Sequence, residues 1–143
     1  MIKKILVAID GSPQANRALD FALDLTQKYS AKVLLLAVIP PVFLPMPSLK
    51  IMKSQAIADA SAELETFFSS ILSKAEEEAK KLVGANVVKR LEHGNPDEVI
   101  VETVKKGNFD LIVLGSRGYR EYALGSVSSR VAENASCAVL IVK

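Results

Sequence analysis

The sequence predicts an α/β fold: a doubly wound, open, parallel five-stranded sheet in the order 3-2-1-4-5, with helices on both faces. Three observations carry this expectation. Short apolar runs, Ile5 to Ile9, Val33 to Ile39, Leu111 to Leu114 and Ala138 to Val142, are continuous rather than alternating. Continuous runs suit strands buried on both faces, as in a parallel sheet. Segments of helical periodicity lie between successive runs, and Gly, Pro, Ser and Asn stand at the joints. Strict alternation of strand and helix implies right-handed crossovers that place helices on both sides of the sheet.

The elements follow in order. Ile5-Leu6-Val7-Ala8-Ile9 is the first strand, and Asp10-Gly11-Ser12-Pro13 punctuates it. Ser12 suits an N-cap and Pro13 a first helical residue. Ala15, Ala18, Leu19, Ala22, Leu23 and Leu25 then recur at helical spacing to about Tyr29. Val33 to Ile39 is the second strand. Residues 40–47 hold Pro40, Pro41, Pro45 and Pro47, which predict a stiff extended flap packed over a neighbouring subunit or a ligand edge. A long helix follows through Ile57, Leu64, Phe67, Phe68, Ile71, Leu72 and Leu82, with Glu76-Glu77-Glu78 and Lys80-Lys81 on its wet face. Val87 to Leu91 alternates more and suits a sheet edge. His93-Gly94 is a turn, and Asn95-Pro96-Asp97-Glu98 opens a helix that Lys105-Lys106-Gly107 closes. Leu111 to Leu114 is the fourth strand. A short helix over Val127 to Asn134 leads to the fifth, Ala138 to Val142.

Composition bounds the function. The chain has 143 residues, half of them hydrophobic and 24% charged, which predicts one domain over 1–143 with a real core. A net charge of +2 gives no electrostatic argument for nucleic acid or an anionic membrane. Cys137 is the sole cysteine, so no intrachain disulfide forms, and a reducing cytoplasm fits. It reads as a small buried hydrophobe rather than a nucleophile. The first apolar run is too short for a signal peptide, and no segment approaches the roughly eighteen apolar residues of a membrane span.

Chemistry concentrates in two places. Asp10 ends strand one. Gly115-Ser116-Arg117-Gly118 ends strand four, and Gly125-Ser126-Val127-Ser128 opens the next helix. Strand, glycine turn, loop and helix start is an arrangement that presents bare main-chain N–H groups to an anion. Ser126 and Ser128 add hydroxyl donors. The same residues also suit a plain connection, in which glycines only turn and a serine only caps. In the order 3-2-1-4-5, strands one and four flank the point where the winding reverses, and ligands bind beyond the carboxyl ends of the strands there. Other chemistries are missing from the sequence. It has no Walker or dinucleotide glycine motif, no G-x-S-x-G elbow and no set of zinc ligands. His93 reads as a turn residue. No catalytic or metal-ligating residue is assigned.

Together, Lys3 to Ser12, Glu92-His93-Gly94-Asn95-Pro96, Asp110 to Gly118, and Leu124 to Ser128 resemble the landmarks of the universal stress protein family. The resemblance covers the whole chain and implies a Rossmann-like fold and usually a homodimer. In the ATP-binding branch the pattern is G-x2-G-x9-G-[ST]. Carried over, it places Gly115, Gly118, Gly125, Ser126 and Ser128 on the phosphates and Asp10 on the ribose. Ile9 and Val38 would meet adenine through backbone or apolar contacts. Leu114, Ser116, Arg117 and Val127 would complete the wall. The implied cofactor is ATP, ADP or AMP, with Mg²⁺ held through the phosphates. The chain departs from the pattern in having six residues, Tyr119 to Leu124, where the family has nine. Three residues are about 4.5 Å of helix rise. Either the cradle survives with a shorter outer loop, or the loop no longer closes over a triphosphate. Cys137-Ala138 also lacks the proline that often follows this cysteine.

Two functions from different classes follow. One is a nucleotide-binding stress-response regulator that changes its assembly or partners on binding; with no base to activate water, fast hydrolysis is not expected. The other is a homodimeric interaction module that binds no nucleotide. In both, the apolar edge strand 138–142, with its one charge at Lys143, predicts pairing with a second copy.

Overall fold

The protein is described from a computed structural model that covers residues 1–41, 53–117 and 125–143. The residues 42–47 of the proline-rich flap lie outside the described residues.

The elements are β1 (Lys4–Ala8), α1 (Pro13–Tyr29), β2 (Lys32–Ile39), α2 (Lys53–Val83), β3 (Val87–His93), α3 (Pro96–Gly107), β4 (Leu111–Gly115), α4 (Ser126–Asn134) and β5 (Ala138–Val142). A 3₁₀ turn, Gly84–Asn86, joins α2 to β3. The five strands form one sheet in the order β3-β2-β1-β4-β5, and every pairing is parallel.

Pleating divides the apolar strands between two cores. Ile5, Val7, Val33, Leu35, Ala37 and Val113 face one layer with Ala18, Ala22, Leu72 and Ala79 of α1 and α2. Leu6, Leu34, Leu36, Ile112 and Leu114 face the other with Ile100 and Val104 of α3 and Val131 of α4. Small residues on α1 let it lie close to the strands, which is why alanines dominate its buried stripe.

The structure moves several boundaries. β3 runs through His93, so His93 is a strand residue and Gly94, at φ +138°, makes the turn. Gly107 is the last residue of α3, and Asn108 takes the left-handed conformation expected of the glycine. Asn108 and Ser30 are both αL caps whose N–H groups return to carbonyls of their helices. β3 is an edge as its composition predicts: Val88 is 59% exposed, and Lys89 and Arg90 are exposed beside it.

At the amino end of the sheet, Asp110 Oδ2 accepts the N–H groups of Lys3 at 2.8 Å and Lys4 at 3.0 Å. These two hydrogen bonds hold its carboxyl below the usual carboxylate range.

Candidate functional site

The carboxyl rim of the sheet follows from strand register. Val7 pairs with Val113, and Ala8 with Leu36. Continued two residues, these registers set Ile9 level with Gly115 and Asp10 level with Val38. The Ile9 N–H still donates to Leu36 O at 2.8 Å, although β1 formally ends at Ala8. The carboxylate from the first strand and the glycine segment from the fourth therefore reach one rim on adjacent strands, as the predicted strand order requires.

On the β1 side the chain turns into α1. Gly11 has φ +82°, a conformation that favours glycine. Asp10 Oδ1 accepts the Ser12 N–H at 2.8 Å, an Asx turn. Ser12 is fully buried, and its hydroxyl accepts the Ala15 N–H at 3.1 Å as the N-cap of α1.

On the β4 side, Ser116 is the pivot. Its N–H donates to Val142 O at 2.8 Å. Its carbonyl accepts both the Gly125 N–H at 2.8 Å and the Ser128 hydroxyl at 2.9 Å. Those two bonds tie the end of β4 to the start of α4. The first main-chain bond within reach of α4 is Ser129 N–H to Gly125 O at 3.0 Å. The N–H groups of Ser126, Val127 and Ser128 thus have no hydrogen-bond partner among the described residues, and no side chain there caps α4. Open N–H groups and the positive end of the helix dipole make this end electropositive independently of any charged side chain.

The two glycines differ in role. A methyl group on Gly115 would stand 2.7 Å from Gln14 Cβ, 2.9 Å from the Gln14 carbonyl carbon and 3.0 Å from the Ala15 nitrogen. The bare Cα of Gly115 therefore admits the first turn of α1. A methyl on Gly125 would meet Ser116 O at 3.3 Å, Arg117 Cα at 3.5 Å and Ser128 Oγ at 3.7 Å, at the mouth of α4.

The remaining residues separate by exposure. Ile9, Val38 and Leu114 are core residues, so they offer the rim main chain more than side chain. Ser116 and Ser128 are buried, Val127 is half-buried, and Ser126 and Arg117 are exposed. The Ser128 hydroxyl spends its proton on Ser116 O, with Gly125 O at 3.0 Å as a second acceptor. It braces the turn rather than offering a donor; of the two serines, Ser126 keeps an outward hydroxyl. Gly118, Arg120 and the rest of the shortened segment 119–124 lie outside the described residues.

Sequence reasoning missed two residues on the first turns of α1. Gln14 packs against Gly115. The Arg17 Nε–H donates to Lys143 O at 2.9 Å, one residue beyond the carbonyl that holds Ser116. Only the docking of α1 across β4 and β5 brings them here; helical spacing shows merely that they share the start of α1.

His93 is exposed on β3, at the far edge of the rim. Burial, with the Asp110 carboxylate adding to it, pushes the Cys137 thiol up, and Cys137 packs beside the α3–α4 core. A thiol held protonated is a poor nucleophile. Among the described residues no three His, Cys, Asp or Glu side chains gather around a common point, and no helix is long and apolar enough to cross a membrane.

Comparison with known proteins gives a consistent result. Residues 1–143 match the Universal stress protein family. Universal stress protein YxiE of Bacillus subtilis is 35% identical over 150 residues, covering 100% of both chains. Among solved structures, universal stress protein UspA from Lactobacillus plantarum has a TM-score of 0.80 at 25% identity, over 99% of this chain and 97% of that one. A universal stress protein in complex with cAMP has a TM-score of 0.74 at 26% identity, over 99% of this chain and 97% of that one.

Proposed function

The chain belongs to the universal stress protein family, and from that premise we propose that it binds an adenine nucleotide across the carboxyl rim of β1 and β4. The observation that carries the proposal is the start of α4, where the N–H groups of Ser126, Val127 and Ser128 have no partner among the described residues and stand beside a glycine. A phosphate supplies the acceptors those donors need. The fold neighbour in complex with cAMP supports the choice of ligand class.

In this reading Ser116, Arg117, Gly125, Ser126, Val127 and Ser128 form the phosphate side, with Gly118 as a further member, while Gly115 lets α1 pack closely beside them. Asp10 takes ribose hydroxyls on Oδ2, because Oδ1 already holds the Ser12 N–H. Ile9 and Val38 meet adenine through the main chain and Leu114 closes the wall. Any Mg²⁺ arrives on the phosphates, since no carboxylate cluster among the described residues holds one in advance.

Residues 1–143 act as one unit, and the output is a change of assembly rather than turnover. β5 is the outermost strand, with Ala138 exposed and Val139, Leu140 and Ile141 only half-buried. An unpaired apolar edge favours a second copy set antiparallel about a two-fold axis.

Isothermal titration with ATP, ADP, AMP and cAMP tests the nucleotide proposal, beside thermal unfolding with the same ligands. Ligand at a hundred times Kd adds about 2.7 kcal/mol to stability. Absence of heat and of a shift for all four at millimolar ligand refutes it.

A further inference from the structure

Two helices start at the carboxyl rim on one face of the sheet, and their first turns differ in charge. α3 starts just past the point where the Gly94 N–H donates to Ile39 O at 3.0 Å, at the end of β2. Its first turn holds Asp97 and Glu98, which answer the positive end of its own dipole. α4 starts beside Ser116 and holds no acidic residue in its first turn. Ile100 of α3 and Val131 of α4 share one core layer, so the two helices lie side by side.

One charged pair crosses between them. Arg130 Nη1 lies 4.0 Å from Asp97 Oδ1, an ion-pair distance too long for a hydrogen bond. The side chains are unequal: Asp97 is 16% exposed and Arg130 64%. A carboxylate largely out of water attracts the guanidinium, yet without the bidentate geometry that arginine forms with a well-placed carboxylate.

Arg130 stands one helical turn beyond Ser126. Residues four apart share a helix face, and helical side chains lean back towards the N-terminus. Ser126 is only about 6 Å away along the axis, within the reach of an arginine side chain. Arg130 therefore covers the turn whose Ser126, Val127 and Ser128 N–H groups have no partner among the described residues. A phosphate on those groups would be a better partner than Asp97 at 4.0 Å, because it accepts two parallel N–H bonds from the guanidinium fork.

We propose that Arg130 is a further phosphate-contacting residue, held beside Asp97 in the empty protein and transferred to the phosphate when nucleotide binds. The proposal rests on the nucleotide-binding reading above. Asp97 then tunes affinity through Arg130: the guanidinium leaves one anion to take another, so the net gain is smaller than that of an unengaged arginine.

The test compares wild type, Arg130→Gln, Asp97→Asn and the double variant by calorimetric titration with AMP. Salt is kept at about 0.15 M, where exposed charges beyond roughly 8 Å are screened. Arg130→Gln should weaken AMP about tenfold, the size of one charge-assisted hydrogen bond. Asp97→Asn should tighten AMP about threefold, the size of a released surface ion pair. In the Arg130→Gln background, Asp97→Asn should change nothing. In ¹⁵N spectra of the arginine side chains, the Nε–H signal that disappears in Arg130→Gln should move when AMP is added to the wild type. Equal AMP affinity in wild type and Arg130→Gln overturns the assignment, and so does an Nε–H signal that stays in place at saturating AMP. Asp97→Asn that leaves AMP affinity unchanged, or that tightens it equally with and without Arg130, overturns the holding role of Asp97. A wild type that does not bind AMP overturns the nucleotide reading itself.

Discussion

Gly115→Ala separates two explanations of the same glycine. If the glycine serves phosphate approach, alanine lowers affinity and leaves the empty protein intact. The geometry assigns it to packing instead: the added methyl meets Gln14 Cβ at 2.7 Å and main-chain atoms of α1 at 2.9 and 3.0 Å. Real Cβ contacts are longer, and the atoms in the way are backbone, so α1 has to shift. Overpacking of this kind costs ~1–3 kcal/mol. Removing glycine freedom from the unfolded chain returns about 0.4–1 kcal/mol, leaving a net loss of roughly 1–2 kcal/mol. For a chain of this length, unfolding entropy near the midpoint converts each kcal/mol into ~3 °C. Nucleotide-free Gly115→Ala should therefore melt roughly 3–6 °C below wild type. Gly125→Ala is the control. Its methyl finds Ser116 O at 3.3 Å and otherwise ordinary contacts. It should cost under ~1 kcal/mol at this N-cap position, yet weaken AMP about tenfold or more by filling the mouth of α4. Differential scanning fluorimetry and titration calorimetry read both quantities. A Gly115→Ala protein that melts within about 1 °C of wild type while losing nucleotide affinity refutes the packing argument.

Other outcomes follow from single contacts. Ser12→Ala removes the buried cap on the Ala15 N–H and should cost about 1 kcal/mol, seen as a melting temperature lower by ~3 °C. Asp110 has a depressed pKa, so the stability it adds is present above its ordinary value of 3.8 and disappears as pH falls through its lower folded value; urea titrations should show Asp110→Asn less stable than wild type near neutrality, with the difference closing below that pH. Ile141→Lys places a charge on the outer strand, and light scattering should find wild type at twice the monomer mass and the variant shifted to monomer; a monomeric wild type at micromolar concentration counts against the edge pairing. With three fewer residues beyond the cradle, ATP should exceed AMP in affinity by less than about a hundredfold, and a larger ratio in competition titrations contradicts a weakened outer site.

The sheet order was legible because each strand is continuous in its apolar character and each crossover is helical. Ile5 to Ile9 and Val33 to Ile39 supply side chains to both core layers, as central strands of a parallel sheet do. The helix ends were less legible. Asn108 rather than Gly107 takes the left-handed turn, because asparagine also tolerates that region and the sequence offers both side by side. At the rim, a motif can name Asp10, Gly115 and Gly125 because each stands at a strand end or a helix start. It cannot name Gln14 and Arg17, because their place depends on how closely α1 docks over β4 and β5, and that follows from a missing Cβ on another element. Glycine in a motif reads as room for a ligand; only the neighbouring atoms show whether a ligand or a helix takes the room.

The clamp at Ser116 bears on the shortened segment. One carbonyl accepts from Gly125 N–H and from Ser128 Oγ, using both of its lone pairs. The two ends of the segment are thereby fixed to each other by contacts that involve none of its own residues. The direction of α4 and the exposure of its first N–H groups then depend on Ser116, Gly125 and Ser128. Loop length enters the energy only weakly, since closing a somewhat shorter loop changes the entropy by a fraction of a kcal/mol. On the proposed nucleotide reading, shortening by three residues would alter what covers the outer phosphates and leave the inner cradle in place. Ser128→Ala tests this division. It removes one of the two bonds and leaves the carbonyl with Gly125 alone, so it should lower affinity for AMP and ATP by the same factor. A loss confined to ATP would place the outer contacts, and not the clamp, in control of the cradle.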